Sequence, residues 1–208
     1  MPEITVGVRE LLAVKYGPRN ISLTPHPAVL GQGIQGHKDA TKNRPSEYQR
    51  EVPVESGWIE GSWRLRVRGR IDGFMDTGEY ILIEEIKTTL AREPQQLLPE
   101  HNEFYLAQLI LYAYFVAMDN PHRDVQARLS WWHIDTQQET TMDLTWEQIA
   151  SGEGLFRQLA TEFIRREKSR RERLEQRNNS LANMEFPFPS YRQGQEELVS
   201  TTALALQY

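Results

Sequence analysis

The amino-acid sequence predicts a mixed α/β domain, and three observations support this prediction. The chain has 208 residues, of which 39% are apolar, so it is long enough to bury the core of one domain. Its apolar residues change from helical spacing to period two and back again along the chain. The predicted order is helix, helix, three strands, helix, two strands, helix. The sequence has no internal repeat and no βαβ alternation with a glycine fingerprint, which disfavours a dinucleotide-binding fold.

The amino-terminal part of the chain contains two predicted helices. Within residues 6–16, Val8, Leu11 and Leu12 have helical spacing, which predicts a short surface helix that ends at a Gly-Pro pair. A second helix is expected over residues 27–42. It contains three glycines, and each of them costs about 1 kcal/mol relative to alanine. The backbone of this helix is therefore expected to approach another segment closely.

Three predicted strands come next. Apolar side chains alternate with arginines over residues 63–70, and a shorter alternating run starts near residue 51, which predicts a hairpin. A hydrophobic run opens residues 80–88 after an Asp-Thr-Gly turn signal, so this segment is expected to be a buried strand. The arginines share one face of their strand, where they either steer phosphates or solvate a sheet edge: Arg64, Arg66, Arg68 and Arg70.

The carboxyl-terminal half begins with the strongest helix signal, over residues 102–118, which an Asn-Pro pair ends. A second hairpin is predicted around a turn at residues 135–138. Thr145 and Gln148 then form a capping-box pattern, which opens a helical region that runs to about Gln176 with a break near its two glycines.

Composition excludes several classes of site. The chain has no cysteine, which rules out disulfides, thiolate zinc sites, cysteine-ligated iron-sulfur clusters and a cysteine nucleophile. A reducing, cytoplasmic setting is compatible with this composition. The first eight residues lack the pattern of a signal peptide, and no apolar segment is long enough to cross a bilayer, so we expect no membrane role.

Charge and motif content limit the contacts with nucleotides. The net charge of −5 argues against a general polyanion binder, because non-specific affinity for nucleic acid comes mostly from phosphate neutralisation by Lys and Arg. Any contact with nucleic acid must therefore be local. The sequence also lacks a Gly-x-x-x-x-Gly-Lys phosphate loop, so this chain alone is not expected to hydrolyse ATP.

The residues that suggest chemistry lie at the ends of two predicted strands. Asp72 ends the arginine-bearing strand, while Glu85 and Lys87 lie two apart near the end of the buried strand and so share a face. If the strands pair, two carboxylates and one ammonium converge. Carboxylate oxygens suit Mg²⁺ or Mn²⁺, which can generate a nucleophile from bound water. Glu84 points to the opposite face and is expected to be structural.

A Glu-x-Lys pattern on an exposed strand is ordinarily a solvated face. Two features favour chemistry here. The preceding run is apolar, so the charges end a strand that should be buried, where an unpaired charge is costly. The chain also has only 5 lysines among its 24 Lys and Arg residues, yet it uses Lys at position 87.

In order and spacing these residues resemble a known signature. Asp72, a gap of twelve residues and then Glu85-Ile86-Lys87 resemble the active-site motif of the PD-(D/E)xK nuclease superfamily. Gln108 and Tyr112 resemble the Gln-x-x-x-Tyr motif of its RecB-like branch, and His37 is similar to that branch's upstream histidine; the match covers residues 28–115. The resemblance implies a restriction-endonuclease-like mixed β-sheet flanked by helices.

The resemblance also implies roles for individual residues. It implies that His37, Asp72, Glu85 and the main-chain carbonyl of Ile86 hold Mg²⁺ or Mn²⁺, and that Lys87 is the catalytic lysine. It implies further that two helical residues one turn apart border the site and orient substrate or lysine: Gln108 and Tyr112. Some relatives carry an iron-sulfur cluster bound by cysteines, and the cysteine-free sequence excludes that subgroup.

Ordinary structural roles remain open for three of these residues. His37 without the resemblance is more often a surface or capping histidine. Tyr112 lies in an aromatic stripe that is expected to be mostly core packing. Gln108 is more informative, because a polar amide on an apolar helix needs a partner.

The carboxyl terminus suggests a second, shorter region. Residues 165–177 contain seven basic and three acidic residues, a pattern more typical of a solvated helix face than of a nucleic-acid track. Residues 178–180 resemble a linker, and residues 186–195 resemble the entry sequence of DinG-like superfamily 2 helicases. We expect a nuclease domain over residues 1–177, and a linker with the start of a truncated helicase-like segment over residues 178–208.

Two functions follow from the resemblance. The first is a metal-dependent DNA nuclease, an exonuclease or an endonuclease, that acts in repair or defence on single-stranded or forked DNA exposed by a fused or associated helicase motor. The second is a catalytically idle nuclease fold that binds DNA or couples the motor to a partner. The intact acidic and lysine positions favour the first, because a simple DNA binder has no reason to bury carboxylates near phosphates.

Overall fold

The computed structural model describes residues 1–17, 35–89, 99–182 and 190–205. The described chain divides into two compact units, Met1–Arg166 and Glu167–Tyr208. Its elements in chain order are β1 (Glu3–Gly7), α1 (Val8–Tyr16), β2 (Gln49–Glu60), β3 (Trp63–Asp76), β4 (Tyr80–Thr89), α2 (Pro99–Asp119), β5 (Asp124–His133), β6 (Gln138–Asp143), α3 (Trp146–Ala150), α4 (Gly152–Ala182) and α5 (Gln195–Ala205).

The predicted mixed α/β fold is confirmed, with one difference at the amino terminus. The sequence of elements begins with strand β1, which we did not predict, because its five residues are too short to show a period. Helix α1 is a surface helix as predicted, since Leu11 and Leu12 are buried on one face while Arg9 and Glu10 are exposed on the other. Within the second predicted helix, residues 35–40 are helical, and residues 27–34 lie outside the described part of the chain.

The first unit contains one mixed six-stranded sheet. Strand β2 pairs antiparallel with one edge of β3, as the predicted hairpin requires. The other edge of β3 is shared, because β1 pairs parallel with residues 64–68 and β4 pairs antiparallel with residues 73–76. Strand β5 then pairs parallel with β4, and β6 pairs antiparallel with β5. Residues 69–72 of β3 therefore lie where this edge changes partners.

The hydrophobic core joins the sheet to helices α1 and α2 and to the start of α4. Leu11, Leu109, Phe115 and Leu129 are all fully buried or nearly so. The ring centroids of Phe115 and Phe156 are 5.0 Å apart in an edge-to-face arrangement, which aromatic pairs prefer. The Thr145 capping box at the start of α3 is present as predicted. This core fixes α2 against the sheet face that carries the candidate site.

Two glycines of β3 contact tyrosines from different segments. A Cβ atom built on Gly69 would lie 2.5 Å from the ring of Tyr112. One built on Gly73 would overlap the hydroxyl oxygen of Tyr48. In a regular strand, residues four apart lie on the same face of the sheet. The two tyrosines should then lie on one side.

The tyrosines instead lie on opposite faces. Tyr48 donates a hydrogen bond of 2.6 Å to Glu84, whereas the hydroxyl of Tyr112 lies in the field of Glu85. Glu84 and Glu85 are consecutive residues of a regular strand and therefore face opposite sides. The alternation of β3 consequently reverses between its two glycines.

The register of the hairpin locates this reversal. Strands β2 and β3 pair along their length, but the pair that Glu51 and Asp72 would form is absent. Glu51 has a φ of 58°, a left-handed value that is uncommon for a residue with a side chain. Asp72 is therefore the residue at which β3 leaves its regular alternation, and its carboxylate turns toward β4 instead of extending the arginine face.

Substitution of Gly73 by alanine is expected to destabilise the protein by about 1–3 kcal/mol, because an added methyl group would displace Tyr48. Urea denaturation of wild type and variant measures this difference. Gly57→Ala in β2 is the matched control, since its Cβ would meet its nearest neighbour at an ordinary 3.7 Å. Equal destabilisation by both substitutions would contradict the close approach of Tyr48.

The second unit contains the carboxyl-terminal part of α4 and helix α5. Residues 178–180, which the sequence marked as a linker, are helical. Arg170 forms an ion pair with Glu167 on this helix, as expected for a solvated helical face. Among the described residues, no helix is both long and apolar enough to cross a membrane.

Candidate active site

The candidate site lies where strands β3 and β4 separate. Their pairing ends at Gly73 opposite Glu84. Beyond that point, the backbone N–H of Ile86 donates a hydrogen bond of 2.8 Å to Oδ2 of Asp72. The Asp72 side chain thus takes the place of a strand partner for Ile86. This contact ties the two sequence motifs together.

The main-chain carbonyl of Ile86 opens toward the same gap. The N–H and C=O groups of one strand residue point to the same edge, and the N–H of Ile86 points to Asp72. The carbonyl therefore also faces the β3 side of β4, past the last residue pair of that ladder. This orientation agrees with the metal-ligand role that the resemblance implies for Ile86.

Glu85 is a buried carboxylate beside Lys87. Its side chain is 1% exposed, and the Lys87 ammonium donates a hydrogen bond to Oε1. The other oxygen, Oε2, is buried and has no hydrogen-bond partner among the described residues. Burial is the main cause that raises the pKa of Glu85 to about 7; Lys87 opposes this shift, and Asp72 adds to it. Two carboxyl groups, those of Glu85 and Asp72, therefore share one ammonium in the site.

His37 approaches the site from the helical turn at residues 35–40. Its Nδ1 atom lies 3.8 Å from Oδ1 of Asp72. A Cβ atom on the preceding Gly36 would overlap the Thr88 side chain, so this turn packs closely on β4, as its glycine content predicted. The Thr41 hydroxyl donates a hydrogen bond of 2.9 Å to the His37 carbonyl and fixes the end of the turn.

Gln108 and Tyr112 lie on the same face of α2, one turn apart, and both are buried. The Gln108 amide nitrogen donates a long hydrogen bond of 3.4 Å to the Tyr112 hydroxyl. Burial, followed by the Glu85 carboxylate, raises the pKa of Tyr112 to about 12. Both residues border the site, but their hydrogen bonds do not reach Lys87.

The donor set fits a hard divalent cation. Two carboxylates, one imidazole and one carbonyl supply the oxygen-rich ligands that Mg²⁺ and Mn²⁺ prefer. Two acceptors here are buried and have no hydrogen-bond partner within the part of the chain that the structure describes: Oε2 of Glu85 and Oε1 of Gln108. A hydrated cation would satisfy such acceptors. Within the described residues, however, no three His, Asp or Glu side chains are already gathered at ligating separation.

Tyr105 also contacts the site, although it belongs to the aromatic stripe of α2 that the sequence predicts to be mostly core packing. The Lys87 ammonium lies 4.9 Å from the centre of the Tyr105 ring, within the range of a cation–π interaction. Tyr105 precedes Gln108 by three positions and therefore occupies the same face of α2. This spacing from Gln108 is the sequence signal that could have identified Tyr105 as a residue of the site. Lys87 is thus held between the Glu85 carboxylate and an aromatic ring.

Replacement of the Tyr105 ring is expected to misplace Lys87. Tyr105→Leu should lower the rate of the reaction proposed below by about tenfold, since cation–π contacts contribute about 1–2 kcal/mol when partly desolvated. Tyr105→Phe keeps the ring face and should retain most of the activity. Single-turnover cleavage rates check both variants. Equal losses in the two would assign the effect to the hydroxyl and contradict the role of the ring.

The arginine face of β3 is largely neutralised by glutamates. Arg68 lies 2.7 Å from Glu55, and Arg66 contacts Glu55 and Glu3. Arg70 lies 3.7 Å from Glu51. Such exposed pairs contribute little to stability. They favour the solvated-surface interpretation over phosphate steering for these arginines.

Comparison with known proteins agrees with this geometry. The family model of the PD-(D/E)XK nuclease superfamily matches residues 27–195. The crystal structure of SSO0001 is similar in fold, with 18% sequence identity, a TM-score of 0.50, and coverage of 77% of this chain and 75% of that chain. No curated protein matches the sequence. The expected restriction-endonuclease-like fold is confirmed, and the chain belongs to the PD-(D/E)XK nuclease superfamily.

Proposed function

We propose that this protein is a metal-dependent deoxyribonuclease that hydrolyses phosphodiester bonds. The observation that carries the proposal is the meeting of Asp72, Glu85 and Lys87 at the end of the β3–β4 ladder. Asp72 holds the Ile86 N–H, and Lys87 donates to the buried Glu85. Superfamily membership supports a nuclease that acts on DNA. Hydrolysis adds water across one P–O bond and leaves a phosphate and a hydroxyl end.

The proposed metal ligands are His37, Asp72, Glu85 and the carbonyl of Ile86. When bound, Mg²⁺ or Mn²⁺ supplies Lewis-acid activation of water and neutralises charge on the phosphoryl oxygens. The Asp72 carboxylate accepts the Ile86 N–H through Oδ2 and keeps Oδ1 toward His37. The buried Glu85 supplies a second carboxylate, and no donor from the described ranges competes for its Oε2.

Lys87 is the proposed catalytic lysine. An ammonium has three N–H donors, and one of them is directed to Glu85. The other two can reach the attacking water or an oxygen of the scissile phosphate, where negative charge increases as the bond breaks. The lysine side chain is 18% exposed, so its ammonium is accessible from solvent while its stem is packed. The roles proposed for Gln108 and Tyr112 are to border the site and orient the substrate.

We propose further that the protein belongs to the RecB-like branch and acts on single-stranded or forked DNA exposed by a fused or associated helicase motor. His37 and the Gln108-x-x-x-Tyr112 spacing support the branch. The resemblance of residues 186–195 to a helicase entry sequence supports the motor. Four of these ten residues, 186–189, lie outside the described part of the chain. An exonuclease role in DNA repair is the corresponding biological proposal.

End-labelled single-stranded, duplex and forked DNA, each incubated with and without Mn²⁺, test this function directly. We expect cleavage only with the metal, with the single-stranded and forked substrates degraded faster than duplex. The idle-module alternative predicts that all three substrates bind and none is cleaved. If the protein binds DNA but leaves it intact under every condition, the nuclease proposal is wrong and the idle module is correct.

A further inference from the structure

We infer that a partly buried polar network on the opposite face of β4 positions His37 through its donors Arg44 and Tyr48, and this inference rests on the proposed function. We name it the Glu84 network, after its central residue. Its members come from the segment before β2 and from three strands: Arg44, Tyr48, Glu84, Ser130 and Glu139.

Glu84 is the centre of this network. Its side chain is 2% exposed, and it accepts hydrogen bonds from Arg44 at 2.6 Å, from Tyr48 at 2.6 Å and from Ser130 at 2.5 Å. Arg44 also contacts Glu139 at 2.5 Å. Burial, followed by the Glu84 carboxylate, raises the pKa of Tyr48, so its hydroxyl stays a donor. A buried carboxylate with three donors is fully committed and has little freedom to move.

The two donors from the segment before β2 are joined to His37 by a short hydrogen-bonded path. The backbone N–H of Thr41 donates to the His37 carbonyl at 3.2 Å, and the Thr41 hydroxyl donates to it at 2.9 Å. The backbone N–H of Arg44 donates to the Thr41 carbonyl at 3.3 Å, and that of Tyr48 donates to the Pro45 carbonyl at 3.1 Å. The stretch from residue 37 to residue 48 is therefore anchored to the sheet at Glu84.

The same anchor lies beside Asp72. The Tyr48 hydroxyl occupies the space above Gly73, where no residue with a Cβ atom would fit without a shift. Gly73 follows Asp72 directly, at the point where β3 reverses its alternation. One hydroxyl thus contacts both the strand that carries Asp72 and the residue next to Glu85. This arrangement sets the position of the His37 ring, 3.8 Å from the Asp72 carboxylate.

Calorimetric titration with Mn²⁺ tests the inference without any measurement of cleavage. The variants are His37→Ala, Tyr48→Phe, the double variant and Ser130→Ala. Tyr48→Phe and Ser130→Ala each remove one hydrogen bond to Glu84, but only Tyr48 belongs to the segment that carries His37. We expect Tyr48→Phe and His37→Ala each to weaken Mn²⁺ binding about tenfold, as loss of a group that orients a ligand does.

The double variant should bind no more weakly than His37→Ala, because both changes remove the same ligand. Ser130→Ala should bind within about twofold of wild type, although it lowers the melting temperature. Wild-type affinity in Tyr48→Phe, full additivity in the double variant, or an equal loss in Ser130→Ala would each overturn the inference. If His37→Ala binds Mn²⁺ as tightly as wild type, the positioning inference is wrong but the proposed function is not. If wild type binds no Mn²⁺, the proposed function is wrong as well.

Discussion

Lys87→Ala and Asp72→Asn are expected to reduce DNA cleavage at least about a thousandfold, as loss of a charged group at the reacting phosphate does. Neither change should unfold the protein. Lys87 is partly exposed, and after Asp72→Asn the amide oxygen of the new side chain can still accept the N–H of Ile86. The rate of cleavage of an end-labelled oligonucleotide in Mn²⁺ measures the loss, and circular dichroism checks the fold.

Two control variants distinguish the loss of a site residue from a general change in surface charge. Lys42→Ala removes an exposed lysine. Asp76→Asn changes another aspartate of β3, one whose carboxylate pairs with Arg123 on the surface. Both control variants should cleave at close to the wild-type rate. Equal turnover by wild type, Lys87→Ala and Asp72→Asn, after contaminating nucleases are removed, would refute the assignment.

The stability of the metal-free protein is expected to fall by about 3 kcal/mol as the pH rises from 4.5 to 7, because the pKa of Glu85 is raised in the fold to about 7. Below pH 4.5 the carboxyl is protonated in both states, so the stabilising effect is fully present. Between these values only the unfolded chain releases the proton. The effect is therefore lost as the pH passes the folded pKa.

Urea denaturation in EDTA across this pH range measures how the free energy of unfolding changes with pH. Glu85→Gln cannot titrate, so this variant should lose the slope and be more stable than wild type at a pH above the folded pKa. Glu79→Gln, which changes an exposed glutamate, should keep the wild-type slope. If wild type and Glu85→Gln have the same pH dependence, Glu85 is ionised at ordinary pH and the burial argument fails.

The sequence predicts the fold correctly where a periodic apolar pattern is long or where a turn or cap has characteristic residues. The β2–β3 hairpin, α2, the β5–β6 hairpin and the α3 capping box all follow this rule. Strand β1 was not accessible, because its partner residues 64–68 are distant in the chain and five residues carry little pattern.

The candidate site was accessible only in part. The spacing of Asp72, Glu85 and Lys87 predicted that their charges would meet if the strands paired. In an unbent strand, period two would place Asp72 on the arginine face. The reversal near residue 72 is a backbone feature that alternation cannot predict. Tyr105 was hidden because an aromatic residue on an apolar helix resembles core packing.

The Glu84 network was inaccessible for a different reason. Arg44 and Tyr48 are separated from Glu84 by 40 and 36 positions, and nothing in their local sequence marks them as its donors. The expectation that Glu84 faces away from Glu85 was correct. Two of its three donors depend on how the segment before β2 packs on the sheet, and the third, Ser130, depends on the pairing of β5 with β4. Both are tertiary properties.

A crystal soaked in Mn²⁺ tests the central claim most directly, through the anomalous scattering of that ion. We predict one strong anomalous peak within ligating distance of Asp72, Glu85 and the Ile86 carbonyl, with the Lys87 ammonium beside it. An absent peak at that place, in crystals of protein that cleaves DNA in Mn²⁺, would show that the reaction occurs elsewhere.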